Sequence, residues 1–311
     1  MNPLLRSMLN RAVDPQKIAE ENLKEYLRHV DVEELQQRIS RFRDLDFKRM
    51  SSTEISEQFM QVMLFNIGGT GKISSLPICI GTYPKKHRFF RVRRLNLEQL
   101  QIPVRGMEVE ADAWEAPAEY VRSGRLNKDG ESLLYTSPGD LGVAIEETRI
   151  ADGEMFAAIV YEAKEPIKCV EVGISSANAN LTPEERIKVR MVLDFLRHEF
   201  IREVGQGTEH LYRISESLVK DHFDLPEEVS DGWCYPSVAK KGKVNVCFRP
   251  HVARRKLSLL GVMVSSARRL DDEYEIKTFS IAHGFDQNGK FIYHHIGSAV
   301  QRKIFPEIVL T

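Results

Sequence analysis

The sequence predicts an α+β protein. Its middle is a series of short apolar runs rich in β-branched residues, residues 182–204 open on a helix-capping pattern, and residues 15–45 carry two helical stripes. In the first of these stripes lie Ile18, Leu23, Tyr26 and Leu27, and in the second Val32, Leu35, Ile39 and Phe42, the spacing of two short amphipathic helices. From Phe59 to Ile80 the chain turns apolar and glycine-rich, through FNIGGTGKISSLPICI at 65–80, and reads as a loop joining the helical arm to the first core strands. Phe89 to Leu95 is a strand candidate, and a polar, acidic stretch and the turn-rich segment SGRLNKDGES follow it. Leu133 to Thr136 reads as a short strand, Leu141 to Arg149 as the beginning of a helix, and Phe156 to Tyr161 and Ile167 to Val172 as core strands. Thr182 as N-cap, Pro183 in the first turn and Glu185 three residues after the cap form a capping box. The helix it opens is expected to reach Val204, with Val189, Leu193, Leu196, Phe200 and Val204 on its core stripe. A second helix, Glu209 to Phe223, follows the break at Gly205 and Gly207. Strands resume at Gly232 and continue through Val244 to Phe248, Leu257 to Ser265, and from Glu273 to the end.

A chain of 311 residues can bury a substantial core, as one large domain with appendages or as two modest ones. With 44 Lys and Arg against 45 Asp and Glu, the charge gives no global attraction to nucleic acid or anionic membrane, so any basic patch is local. Cys79, Cys169, Cys234 and Cys247 contain no CxxC pair, which points to buried neutral thiols rather than a zinc or redox site. Met1 to Val13, with Arg6 and Arg11, is too interrupted for a signal-peptide core, and no run approaches a membrane span. A reducing cytoplasm is the expected compartment.

The stretch from Arg125 to Glu146 is the most informative. Gly124 and Gly130 let a loop bend tightly, so that the Arg125 guanidinium could reach a diphosphate with bidentate geometry. Tyr135, at the end of a short strand, could stack on a flat heteroaromatic group. Glu146, or its neighbour Glu147 in exchange, could bond a ribose hydroxyl and stabilise positive charge developing on the sugar. Taken singly, each is an ordinary loop arginine, core tyrosine or helix-start glutamate. Three other features are set aside. GGTGK at 68–72 lacks the first glycine and the Ser/Thr of a phosphate loop; His294 and His295 point to opposite faces of a strand; and RPHVARRK at 249–256 reads as a solvated basic face, with holding of the substrate's phosphates or a nucleic acid as its alternative.

The order Gly-Arg-x-Asn, Leu-Tyr-Thr-Ser and a glutamate 21 residues after Arg125 resembles the RES domain. Ser237, in DGWCYPSVAKKGKVNVCF, matches the family's serine segment, with Asn245 as the asparagine after it; Arg91 in FFRVRRL, with Arg93 as alternative, matches the upstream arginine. The resemblance implies a compact mixed fold related to ADP-ribosyltransferase toxins over residues 85–265, between a helical N-terminal extension, 1–80, and a β-rich C-terminal extension, 266–311. It also implies an enzyme that takes NAD as substrate and cleaves the nicotinamide-ribose bond, an NAD phosphorylase or glycohydrolase, in a bacterial toxin or defence effector. Arg125, Glu146 and Ser237 would be catalytic, and Arg91, Tyr135, Asn127 and Asn245 would bind substrate, with no metal and no separate cofactor. A protein ADP-ribosyltransferase and a non-catalytic NAD- or partner-binding module are the alternatives. Inorganic phosphate, an antitoxin or regulatory protein and a homo-oligomer are the partners it allows, with no membrane or nucleic acid. The long N-terminal arm, the helical insertion before Ser237, the C-terminal extension and Leu126 in place of a common Trp depart from the family pattern.

Overall fold

The computed structural model describes residues 15–95, 101–174, 181–271 and 273–309. The segment Met1 to Val13 and the side chain of Ile18 lie outside them. Helices α1 (Pro15–His29), α2 (Val32–Arg43) and α3 (Ser52–Met63) lead into a hairpin of β1 (Phe65–Ile67) and β2 (Gly71–Ile73). Strands β3 (Cys79–Tyr83), β4 (Arg88–Arg94) and β5 (Leu134–Pro138) precede the short helix α4 (Leu141–Thr148), and β6 (Met155–Ala163) and β7 (Ile167–Glu171) follow it. Next come α5 (Pro183–Phe200), α6 (Tyr212–His222), β8 (Gly232–Pro236) and β9 (Val244–Phe248). The basic helix α7 (Pro250–Lys256), the long strands β10 (Leu257–Leu270) and β11 (Glu273–Phe285), β12 (Phe291–His295) and α8 (Ala299–Ile304) complete the chain. The class is α+β.

The chain divides into two compact units, 1–80 with 170–225, and 81–169 with 226–311. The segment 170–225, expected to be an insertion within the second unit, is instead grouped with the N-terminal arm. Its helices α5 and α6 supply the apolar faces that α1, α2 and α3 need: Phe42 and Phe59 meet Phe195 at centroid distances of 5.3 and 5.7 Å. Leu35, Ile39, Val189, Leu196, Phe200 and Leu218 are buried with them. Helix α3 corrects the expected loop. Ser51 and Glu54 form a reciprocal capping box ahead of the buried Ile55, Phe59, Val62 and Met63, and the GGTGK segment then turns the β1–β2 hairpin. Helix α5 opens on the expected capping box but stops at Phe200, because Val204 is half-exposed and no apolar burial rewards another turn.

In the second unit the boundary expected at 265 has no counterpart, since β10 runs through it to Leu270 and pairs with both β6 and β11. Among the described residues, ten strands lie in the order β12-β11-β10-β6-β4-β5-β9-β8-β7-β3. One core lies on the β4, β6, β10 and β11 portion, where Val92, Phe156, Ala158, Val160, Met263 and Ile281 are covered by Ile145 from α4 and by Phe305. The chain end is therefore not all strand, because Phe305 after α8 closes that core.

Gly173 has a φ of +65°, and a Cβ there would sit 2.8 Å from the Arg197 backbone nitrogen. Gly173→Ala is expected to destabilise the helical unit by more than about 1 kcal/mol, read from the midpoint of urea unfolding.

Candidate active site

Strands β4 and β5 share only two pairs, Phe89 with Pro138 and Phe90 with Ser137. Beyond them β4 stays with β6 through Arg94, while Tyr135 and Thr136 of β5 pair with Cys247 and Val246 of β9. The two arms part, and a cavity of about 260 Å³ opens at the fork. Phe90, Arg91 and Val92 line one side and Tyr135, Thr136 and Ser137 the other, with Ala144, Glu147 and Thr148 of α4, Tyr235 and Asn245 completing it.

The carboxylate in this cleft is Glu147. Residues 144, 147 and 148 are spaced by three and four, so they share one face of α4 and look into the cavity together. Glu146, one residue back, is turned off that face and pairs with Arg269 at 2.9 Å; burial and the Glu146 carboxylate beside it push the Tyr274 phenol up. This corrects the expected position of the glutamate, because the roughly 100° per residue of a helix separates two neighbours that linear spacing treats as equivalent.

Glu147 is held by a single oxygen. Ser237 Oγ and Asn245 Nδ2 both donate to Oε1 at 2.6 Å, and Oε2 receives no donor from the described residues. Ser237 Oγ in turn accepts from the Lys240 amide at 3.0 Å, and Ser137 donates to Asn245 Oδ1 at 2.8 Å. Ser237 thus orients the carboxylate rather than lining the cavity, whereas Asn245 does both.

Arg91 lines the cavity beside the Tyr161 phenol, and its Nη1 is buried with no hydrogen-bond partner among the described residues. Arg93 instead donates to the Asp112 carbonyl at 3.3 Å. Arg125 is half-buried, and its charge acts on the phenols of Tyr135 and Tyr235, both of which burial pushes well up. Asn127 is not available to a substrate. Its Nδ2 donates to the carbonyls of Arg122 and Lys128, both at 2.9 Å, and its Oδ1 accepts from Tyr135 at 2.7 Å. The Tyr135 hydroxyl also accepts from the Leu126 amide at 3.2 Å, so this phenol ties the Arg125 loop to β5 while its ring faces the cavity. Gly124 makes that closure feasible, since a Cβ there would come within 2.5 Å of Asn127 Oδ1.

Sequence reasoning missed Ser137, Thr148 and Tyr235. Ser137 stands in the LYTS segment already singled out, and the i, i+4 step from Ala144 to Thr148 was the available signal for the second. The basic segment of α7 carries little net positive charge, because Arg254 pairs with Glu115, Arg255 and His251 with Glu227, and Lys256 with Glu165 and Asp231. His294 and His295 lie in β12, and among the described residues no His, Cys, Asp and Glu cluster could hold a metal. No described helix is long and apolar enough to cross a membrane. No protein-family model matches the chain, nor does any curated protein or solved structure.

Two outcomes test this geometry. Tyr135→Phe strands the Asn127 Oδ1 and the Leu126 amide, and is expected to cost about 1–3 kcal/mol in urea unfolding. Asp140 caps α4, accepting from the Val143 amide at 3.3 Å and pairing with Lys243 at 2.8 Å. Burial alone would raise its pKa, but the Lys243 ammonium and the amide outweigh it and hold the carboxyl below its usual range. A folded-state pKa below the unfolded one stabilises the fold fully above the ordinary value of about 3.9, and the contribution is lost as pH falls through the folded value. Asp140→Asn is therefore expected to flatten the acid limb of stability against pH below about 4.

Proposed function

We propose that the chain is an NAD-consuming enzyme that cleaves the bond between nicotinamide and ribose and transfers the ADP-ribosyl group to water or inorganic phosphate. The observation that carries this reading is Glu147, a carboxylate fixed through Oε1 that, among the described residues, has no donor on Oε2, and that shares its cavity with Arg91, whose buried Nη1 has no partner among them either. A carboxylate so placed stabilises an oxocarbenium-like sugar, and an unpaired buried guanidinium nitrogen favours an anionic group on the same ligand. The resemblance to RES domains, carried by Arg91, Arg125, Tyr135 and Ser237, supports the same substrate.

In this reading Arg91 and Arg125 hold the diphosphate, the rings of Tyr135 and Tyr235 flank the nicotinamide, and Glu147 takes the part expected of Glu146. The bond from ribose C1 to the pyridinium nitrogen breaks, and its electron pair leaves with neutral nicotinamide. An acceptor oxygen forms the new bond to C1; when water is the acceptor, its proton passes to solvent. The cavity, about 260 Å³, is below the roughly 300–1,000 Å³ of pockets that enclose a whole ligand, so it suits the nicotinamide-ribose half of NAD. A toxin or defence role, with an antitoxin as partner, follows from the same resemblance.

Purified protein incubated with NAD, with and without phosphate, is expected to release nicotinamide beside ADP-ribose or its 1″-phosphate, resolved by mass. Glu147→Gln is expected to lower turnover by at least about 100-fold, and Glu146→Gln by far less. Intact NAD under every condition would overturn the proposal, and label from the adenylate moiety on protein would redirect it to protein ADP-ribosylation.

A further inference from the structure

We infer that Ser137 is a positioning residue for Glu147, acting through Asn245, an inference that rests on the reading of the cleft as an NAD-cleaving site. Ser137 is 2% exposed and Asn245 5% exposed, so neither finds bulk water when a protein partner is lost. The chain of donors runs one way: Ser137 Oγ to Asn245 Oδ1 at 2.8 Å, then Asn245 Nδ2 to Glu147 Oε1 at 2.6 Å. The terminal torsion of an asparagine is broad and roughly twofold, so a carboxamide needs a suitable partner at each end to keep one orientation. Glu147 supplies the acceptor and Ser137 the donor. The reverse orientation would set Oδ1 against Oε1, two acceptors in contact.

The backbone places the Ser137 hydroxyl at the fork itself. Its Cα partner is Phe90, at the end of the short stretch that β4 and β5 share, and its neighbour Thr136 is committed to the Val246 carbonyl at 2.9 Å. Ser237 reaches the same Oε1 from beyond β8, with its own oxygen anchored by the Lys240 amide. Two hydrogen-bond routes from the β5-β9-β8 side of the fork thus converge on one carboxylate oxygen, and Ser137 terminates one of them. Without its hydroxyl, Asn245 Oδ1 is buried with no donor, the amide rotates to find one, and Nδ2 leaves Glu147. Arg91 and the aromatic walls keep their places, so the loss falls on the chemical step and not on substrate affinity.

The test uses the full chain, with Ser137→Ala and Ser137→Cys, the thiol being a weak donor in similar space. Ser137→Ala is expected to lower kcat for NAD by about tenfold with KM held within about twofold, and Ser137→Cys by several-fold. On a Glu147→Gln background, Ser137→Ala is expected to change kcat by less than about twofold, because the two residues act as one unit. The crystal structure of Ser137→Ala is expected to show the Asn245 amide rotated and Nδ2 beyond hydrogen-bond distance of Oε1. A full loss persisting on the Glu147→Gln background, a raised KM with unchanged kcat, or an unmoved Asn245–Glu147 contact would overturn the inference. Wild-type protein that leaves NAD intact would instead refute the functional reading, and the crystallographic comparison then decides the role of Ser137 without any turnover.

Discussion

The parting of β4 from β5 after two residue pairs is the constraint on which the candidate site depends. Had the strands stayed paired, the next ladder pairs would be Arg91 with Thr136 and Val92 with Tyr135, with no space between the strands. β4 keeps its ladder to β6 along one edge and β5 its ladder to β9, so each strand stays anchored in the sheet while the edges they turn toward each other separate at the fork. Helix α4 then lies against β4, its Thr148 hydroxyl bonded to the Ala144 carbonyl at 2.8 Å, and brings Glu147 to the opening.

Charge is managed differently in the two units. In the helical unit the carboxylate of Glu199 is fully buried and is met by Arg202 at 2.5 Å, His198 at 3.0 Å and Arg43 at 3.2 Å, an arrangement in which the buried anion has several compensating partners. In the sheet unit, the cleft keeps its charges incompletely answered. Among the described residues Glu147 has donors on one oxygen alone, and the buried Nη1 of Arg91 has no partner. A fully satisfied network rigidifies a core, whereas an incompletely satisfied one is what a polar ligand completes.

Much of this was legible in the order of residues. The Thr182, Pro183 and Glu185 signature placed the start of α5 because capping is local: the groups that bond are three residues apart. The β-branched runs around Phe156 to Tyr161 and Val244 to Phe248 marked strands for a similar reason, since side chains that suit a pleated surface recur over a few positions. Helix α3 carries the same kind of local signal, with Ser51 and Glu54 ahead of Ile55, Phe59 and Val62, although the glycines at 68, 69 and 71 that follow it are loop formers. The set of site residues was legible as types, an arginine on β4, a tyrosine on β5 and a serine with an asparagine after β8.

Their roles were not. Which of Glu146 and Glu147 enters the cleft depends on the rotation of α4 against β4, set by the burial of Val143, Ala144 and Ile145. Asn127 and Asn245 look alike in sequence, yet one is consumed by the carbonyls of its own loop and the other spans from Ser137 to Glu147, 108 and 98 residues away. The two-unit division had the same origin, because residues 170–225 join 1–80 through apolar faces remote in the chain. The sequence by itself determined the α+β class, the local caps and the kinds of side chain brought to the site. Only the tertiary structure decided which of them meet, because hydrogen bonds between residues about a hundred positions apart depend on strand order and helix rotation, which no local spacing encodes.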